Sequence, residues 1–175
     1  MGANGSGFTT FVLIYFNGLY FTEVNERMGL FFVDSYERQL DERGRIILPA
    51  KIRDAVGKAV FITRSPAEKC LHLYTEEEWE VLSEKMRELP VTTDKFAGAF
   101  VRMFCGTAAC CEIDKQGRIS PGKNHCEFAG LVKDIVLVGV NTRIEIWSKE
   151  EWTRYNESIS DEAILEGIEK FGLVL

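Results

Sequence analysis

The string Leu40-Asp41-Glu42-Arg43-Gly44-Arg45-Ile46-Ile47-Leu48-Pro49-Ala50-Lys51 reads as a tight turn entering a short strand and then a helix, and part of it is written twice. At an offset of 73 residues, Asp41 matches Asp114 and Gly44-Arg45-Ile46 matches Gly117-Arg118-Ile119. Working outward, Gly57 matches Gly130, and Glu77-Glu78-Trp79 matches Glu150-Glu151-Trp152 in the same register. The middle slips by two residues, pairing Val60-Phe61-Ile62 with Ile135-Val136-Leu137, and returns to register at Leu71 and Ile144. One such match could arise by chance; an ordered series is the mark of two copies of one unit.

Each copy carries the same local instructions. In Asp-x-x-Gly-Arg the glycine supplies a positive φ at Gly44 or Gly117, so a strand enters a tight turn there. A short strand follows over Arg45–Leu48, and Pro49 suits the first position of a helix that carries Ile52 and Val56 on one face and stops at Gly57. Strand Val60–Thr63 leads through the Ser65-Pro66 turn to strand Leu71–Tyr74. Thr75 and Glu78 then form a capping box for a helix with Trp79, Leu82, Met86 and Leu89 inward. The second copy repeats this with strands Ile135–Val138 and Arg143–Trp147, a box of Ser148 and Glu151, and Trp152, Tyr155 and Ile159 on the apolar face. Between the copies, the segment 91–105 is expected to hold a connecting helix, Thr93 to Phe104, with Phe96, Phe100, Met103 and Phe104 inward. The copies are placed at 34–80 and 107–153, with an acidic C-terminal segment at 154–175. Residues 1–27, Gly-rich and then aromatic with no charge before Glu23, read as an extension outside the folded unit or an added edge strand at Phe11–Phe16.

A unit of about 45 residues is too small to bury a core alone. Two in tandem can pack about a pseudo-twofold axis, each closing the other's sheet, so the expectation is one α+β, mainly β, intramolecular pseudo-dimer with short flanking helices. At 175 residues, 46% of them hydrophobic and 27% charged, with a mean hydropathy of −0.07, the chain has room for such a domain and none for a large enzyme. The longest apolar run, Phe8 to Phe21, is broken by Asn17 and Gly18 and is shorter than the roughly 20 residues of a spanning helix. It also lacks a basic leader, so a cytoplasmic protein without membrane contact is expected.

The net charge of −6 argues at first against a polyanion partner, but its distribution reverses that. Residues 75–89 carry −4 and residues 150–170 carry −5, leaving the rest of the chain at +3, and the stretch 38–53 alone is +3. A local basic surface matters more to nucleic acid than the global sum. Within it, Asp41 and Arg45, like Asp114 and Arg118, face each other across a turn and can bond bidentately. One reading is a structural clamp, with Asp41, Gly44, Asp114 and Gly117 holding the turns; the other is that the turn presents Arg43 and Arg45 to phosphates or guanine edges. Lys51 and Arg53, flanking Ile52, are either a solvated helix face or cations that position phosphates.

Catalysis finds no support. The two histidines, His72 and His125, have no nucleophile at supporting spacing, and no Gly-rich phosphate loop is present. Cys70, Cys105, Cys110, Cys111 and Cys126 are odd in number and lack paired metal-ligand spacing, so buried, inert thiols are expected, with no metal, cofactor or small-molecule substrate.

From Met28 to about Trp152 the sequence resembles the MraZ family of bacterial transcriptional regulators. The resemblance rests on Leu40 through Lys51, on Glu112-Ile113-Asp114-Lys115-Gln116-Gly117-Arg118-Ile119, and on Val138-Gly139-Val140-Asn141-Thr142-Arg143-Ile144-Glu145-Ile146-Trp147. It implies two tandem SpoVT/AbrB-like swapped-hairpin halves and assembly into a homo-oligomeric ring. It further implies binding of double-stranded DNA at repeated promoter elements upstream of the division and cell-wall gene cluster, and hence nucleoid association. Arg43, Arg45, Lys51, Arg53 and Arg118 would be the DNA-binding residues. The second copy departs from the family in Ile119-Ser120-Pro121-Gly122-Lys123-Asn124-His125-Cys126, where the family more often has an apolar pair, Pro one position later, and Leu-Arg in place of His125-Cys126. An antitoxin-like interaction module on the same fold, with the C-terminal segment wrapping a toxin, is the alternative.

Overall fold

A computed structural model describes residues 31–172; the extension read at 1–27 lies outside them. Among the described residues, eight strands and six helices follow the two-copy plan. The first copy contributes β1 (Ser35–Gln39), β2 (Ile46–Ile47), α1 (Ala50–Ala55), β3 (Ala59–Arg64), β4 (Leu71–Thr75) and α2 (Glu76–Arg87). After α3 (Lys95–Gly106), the second contributes β5 (Ala109–Glu112), β6 (Arg118–Ile119), α4 (Lys123–Phe128), β7 (Asp134–Val140), β8 (Arg143–Ser148) and α5 (Lys149–Ser158), and α6 (Asp161–Glu169) is the last element among the described residues.

The copies exchange strands. β1 of the first pairs antiparallel with β7 of the second, and β5 of the second pairs with β3 of the first. β2 and β6 pair with each other as a separate ribbon. The six-stranded sheet therefore runs β1-β7-β8-β4-β3-β5, an order that reads the same from either end once equivalent strands are exchanged. The central β4–β8 pair, with Leu73 opposite Ile144, lies on the pseudo-twofold. This is the expected α+β pseudo-dimer, each half completing the other's antiparallel sheet, although among the described residues the helices hold more of the chain than the strands.

Alternation along the strands sorts the side chains. Val60, Ile62, Leu71, Leu73, Ile135, Leu137, Ile144 and Ile146 point to one face, where Ile46 and Ile119 of the ribbon and Ile52 of α1 close the main core. On the opposite face Tyr74, Met86 and Phe104 form a second cluster beneath α2 and α3. Trp79 stacks there between Phe61, at 4.9 Å, and Phe104, at 5.7 Å. Thr75 and Ser148 cap α2 and α5 by accepting from the Glu78 and Glu151 N–H groups, as the capping boxes require.

Several local expectations are corrected. Leu89 is 36% exposed, because α2 ends at Arg87 and a residue before proline, here Pro90, disfavours helix. The connecting helix begins at Lys95 rather than Thr93, since Asp94 caps it by accepting from the Ala97 N–H. Residues 91–93 precede that cap as turn. Phe96, in the first turn of α3, is 82% exposed, while Phe100 and Phe104 on the same face stack at 5.5 Å. Ile159 follows the end of α5 in extended backbone and is exposed. Cys105 and Cys110 are exposed, so buried thiols describe only part of the cysteine set: Cys70 is enclosed and Cys111 and Cys126 are half-buried.

Candidate nucleic-acid interface

Both turns are built as the Asp-x-x-Gly-Arg spacing demands. Gly44 and Gly117 take φ of +70° and +74°. The Gly44 N–H donates to the Asp41 carbonyl at 2.9 Å, and the Gly117 N–H to the Asp114 carbonyl at 2.8 Å. The aspartates close each loop from inside. Asp41 Oδ1 accepts from the backbone N–H groups of Arg43 and Arg45, both at 2.9 Å, and Asp114 Oδ1 accepts from those of Gln116 and Arg118 at 2.9 and 3.0 Å.

The guanidinium then engages the other carboxylate oxygen alone. Arg45 Nε and Nη2 both reach Asp41 Oδ2 at 2.7 Å, and Arg118 Nε and Nη2 reach Asp114 Oδ2 at 2.7 and 2.6 Å. The expected oxygen-for-oxygen fork is therefore not formed, because the turn's own N–H groups occupy Oδ1. Hydrogen bonding from Arg45, side chain first and backbone second, holds the Asp41 carboxyl at about 2, well below its ordinary value. Arg118 lowers Asp114 in the same way. The clamp occupies only part of each guanidinium, which has five N–H donors, so the remaining donors stay available on its outer side.

The antiparallel pairing of β2 with β6 sets the two turns at the opposite ends of one short ribbon. Ile46 pairs with Ile119 and Ile47 with Arg118. The first pair is buried in the core, whereas Ile47 is 53% exposed on the outer side of the ribbon. Arg43 is exposed and, among the described residues, makes no ion pair. Lys51 and Arg53 project outward from α1 on either side of buried Ile52. The acidic helices α2 and α5 pack against the opposite face of the sheet, α2 through Trp79 and α5 through Trp152 and Tyr155 against Trp147, which separates the anionic surface from the ribbon.

Sequence reading missed one relation and one residue. Arg53 does not stand beside its own turn: its stem crosses the turn of the other copy, where a Cβ on Gly117 would stand 2.7 Å from Arg53 Cδ. Lys115, exposed in that second turn, joins the same group of cations. Its only signal in the sequence is its place within the repeated turn. In α4, His125 is buried, its Nδ1 against the Pro121 carbonyl and its Nε2 2.6 Å from the Thr107 carbonyl. The polar ring thus ties α4 to the end of α3.

Two copies of a turn–strand–helix unit that exchange strands and lay their turns along one ribbon define a tandem swapped-hairpin protein. The family model described as "MraZ protein, putative antitoxin-like" matches residues 31–102 and again 103–169. The chain belongs to the MraZ family. It is 45% identical over 143 residues to a protein of Clostridium beijerinckii named transcriptional regulator MraZ, covering 81% of this chain and 99% of that one. Proteins of the same name from Acetivibrio thermocellus and Caldanaerobacter subterraneus subsp. tengcongensis are each 42% identical, over 81% and 79% of this chain and 99% and 96% of theirs. Among the described residues no helix is long and apolar enough to cross a membrane, and no cluster of metal-ligating side chains occurs.

Proposed function

We propose that this chain is a DNA-binding transcriptional regulator whose contact surface is the β2–β6 ribbon with its two turns and the helices that follow them. The observation that carries the reading is the outward placement of Arg43, Lys51 and Arg53 next to the two clamped arginines, on the side of the sheet away from the acidic helices. Arg43, Arg45, Lys51, Arg53 and Arg118 are the proposed contacts. The clamp and a DNA contact are compatible in Arg45 and Arg118: the carboxylate fixes the guanidinium before DNA arrives, so little side-chain freedom is lost on binding. The names of the relatives support regulation of transcription.

One protomer neutralises few phosphates and binds weakly alone. A ring of protomers engages adjacent promoter repeats together, and avidity supplies the remaining affinity. Repeats upstream of the division and cell-wall gene cluster, spaced near one helical turn of roughly 10 bp, are the expected target. The antitoxin-like reading keeps the support of the family description, but a toxin-wrapping arm calls for an extended segment, and α5 and α6 are helices.

The test is a gel shift on the DNA upstream of the chain's own gene at fixed salt. The double variant Arg43→Ala/Arg45→Ala is expected to bind at least ten-fold more weakly than the unaltered chain. Equal binding by the two proteins would remove the first turn from the DNA surface.

A further inference from the structure

The basic stretch 38–53, continuous in sequence, is divided in space. The Leu48 N–H donates to the Gly117 carbonyl at 2.9 Å, so α1 starts beside the second turn and not the first. Arg53 then lies across that turn, Nη1 3.1 Å from where a Gly117 Cβ would stand. The antiparallel register that pairs Ile46 with Ile119, carried two residues further, puts Pro121 opposite Gly44 and so starts α4 beside the first turn. Each end of the ribbon is thus a composite of one copy's turn and the other copy's helix.

The two composites differ in charge. The end formed by α1 and the second turn holds four cations, Lys51, Arg53, Lys115 and Arg118, against two acids, Asp54 and Asp114, a formal +2. The end formed by α4 and the first turn holds Arg43, Arg45 and Lys123 against Asp41, Glu42 and Glu127, a formal zero. Each end has one helix cation paired to a helix acid, Lys123 with Glu127 at 3.6 Å and Arg53 with Asp54 at 3.7 Å, so the difference lies in the cations left over. The cause lies in α4: Asn124 occupies the place of Lys51, and Cys126 the place of Arg53. Gly117 is covered by the stem of Arg53, whereas nothing lies within 4 Å of a Cβ on Gly44, so the space an arginine stem would take is open.

We infer that the two ends of the ribbon are functionally unequal, and that the α1–second-turn end, centred on Arg53 over Gly117, carries the main phosphate contacts of each protomer. The inference rests on the DNA-binding reading above and adds which end does the work. A backbone phosphate meets a field of +2 at one end and none at the other, and sequence-independent affinity follows the number of phosphates neutralised. The first turn's Arg43 is left to a lesser contact, with Lys123 the one cation on the helix beside it.

The measurement is the affinity of the full chain for its own upstream DNA, by fluorescence anisotropy over a series of salt concentrations. Arg53→Ala is expected to weaken binding about ten-fold and to lower the salt slope by about 0.9, one phosphate. Arg43→Ala is expected to weaken binding less than Arg53→Ala, and Cys126→Arg to strengthen it by supplying the missing stem over Gly44. If Arg43→Ala costs as much as Arg53→Ala or more, the inequality is overturned; both residues are exposed, so neither result turns on misfolding. An unaltered chain that binds no DNA at the lowest salt would instead overturn the DNA-binding reading itself, and this inference with it.

Discussion

His72 shows how a single ionisable side chain is set by what surrounds it. It sits on β4 facing away from the main core, its Nδ1 3.1 Å from the Tyr74 hydroxyl and its Nε2 3.6 Å from a Glu145 carboxylate oxygen. Arg143 in turn holds the same Glu145 oxygen at 2.8 Å. Burial above all, with the Arg143 cation adding to it and Glu145 opposing, brings the His72 ring down to about 4. The ordinary histidine value is 6.5. Between those values the unfolded chain binds a proton that the folded chain refuses, so the stability His72 contributes is complete above the ordinary value and declines as pH falls toward about 4. His72→Gln is expected to shrink the drop in urea midpoint between about pH 7 and pH 4.5. An undiminished drop in the variant would assign the acid sensitivity to other groups. The strand position of His72 was legible from alternation alone, but its environment was not, because Glu145 and Arg143 reach it from β8 across the join between the copies.

At the scale of elements, the close approach at Gly139 decides how residues 32 and 33 seat against β7. The N–H and carbonyl of Phe32 bond with Asn141 at 2.6 and 3.0 Å, which seats Phe32 in the main core. A Cβ on Gly139 would stand 2.5 Å from the Val33 nitrogen and 2.6 Å from the Phe32 carbonyl carbon, both backbone atoms that cannot turn aside. Gly139→Ala should therefore lift residues 32 and 33 off β7 and cost up to about 3 kcal/mol as Phe32 loses its seat. Faster amide exchange at Asn141 and a lower urea midpoint are the expected signs, and unchanged exchange there would show that the contact yields without loss.

The capped helices were the most legible elements, since a box such as Thr75 with Glu78 is a contact three residues apart that the chain can announce locally. Helix ends near Pro90 and Asp94 were less so, because the periodic apolar pattern runs on through Leu89 and back to Phe96 after the backbone has stopped supporting it. The Asp41 and Asp114 clamps were legible as turns, but the second oxygen's capture by backbone N–H groups was not.

For the molecule as a whole, strand exchange makes the halves interdependent. A chain ending at residue 90 keeps β1 through α2 but loses β7, the partner of β1, along with β5 and β6. Such a half is expected not to fold as a monomer; it either stays unfolded or forms a dimer in which a second copy of itself supplies the missing strands. Circular dichroism and sedimentation of residues 31–90 would check this. A cooperatively folded monomer would contradict the exchanged topology.

Duplication, turns, caps and the sign of each surface stretch were determined by the sequence itself, because each depends on interactions between residues a few positions apart or on plain composition. Only the tertiary structure decided that a turn of one copy meets a helix of the other, that Arg53 rests over Gly117, and that Cys126 leaves the matching place above Gly44 open. Those facts follow from antiparallel pairings such as Leu48 with Gly117, between residues 69 positions apart. Repeats and periodicity carry the content of each copy, whereas which partner a free strand edge takes is settled by the burial that all the strands achieve together.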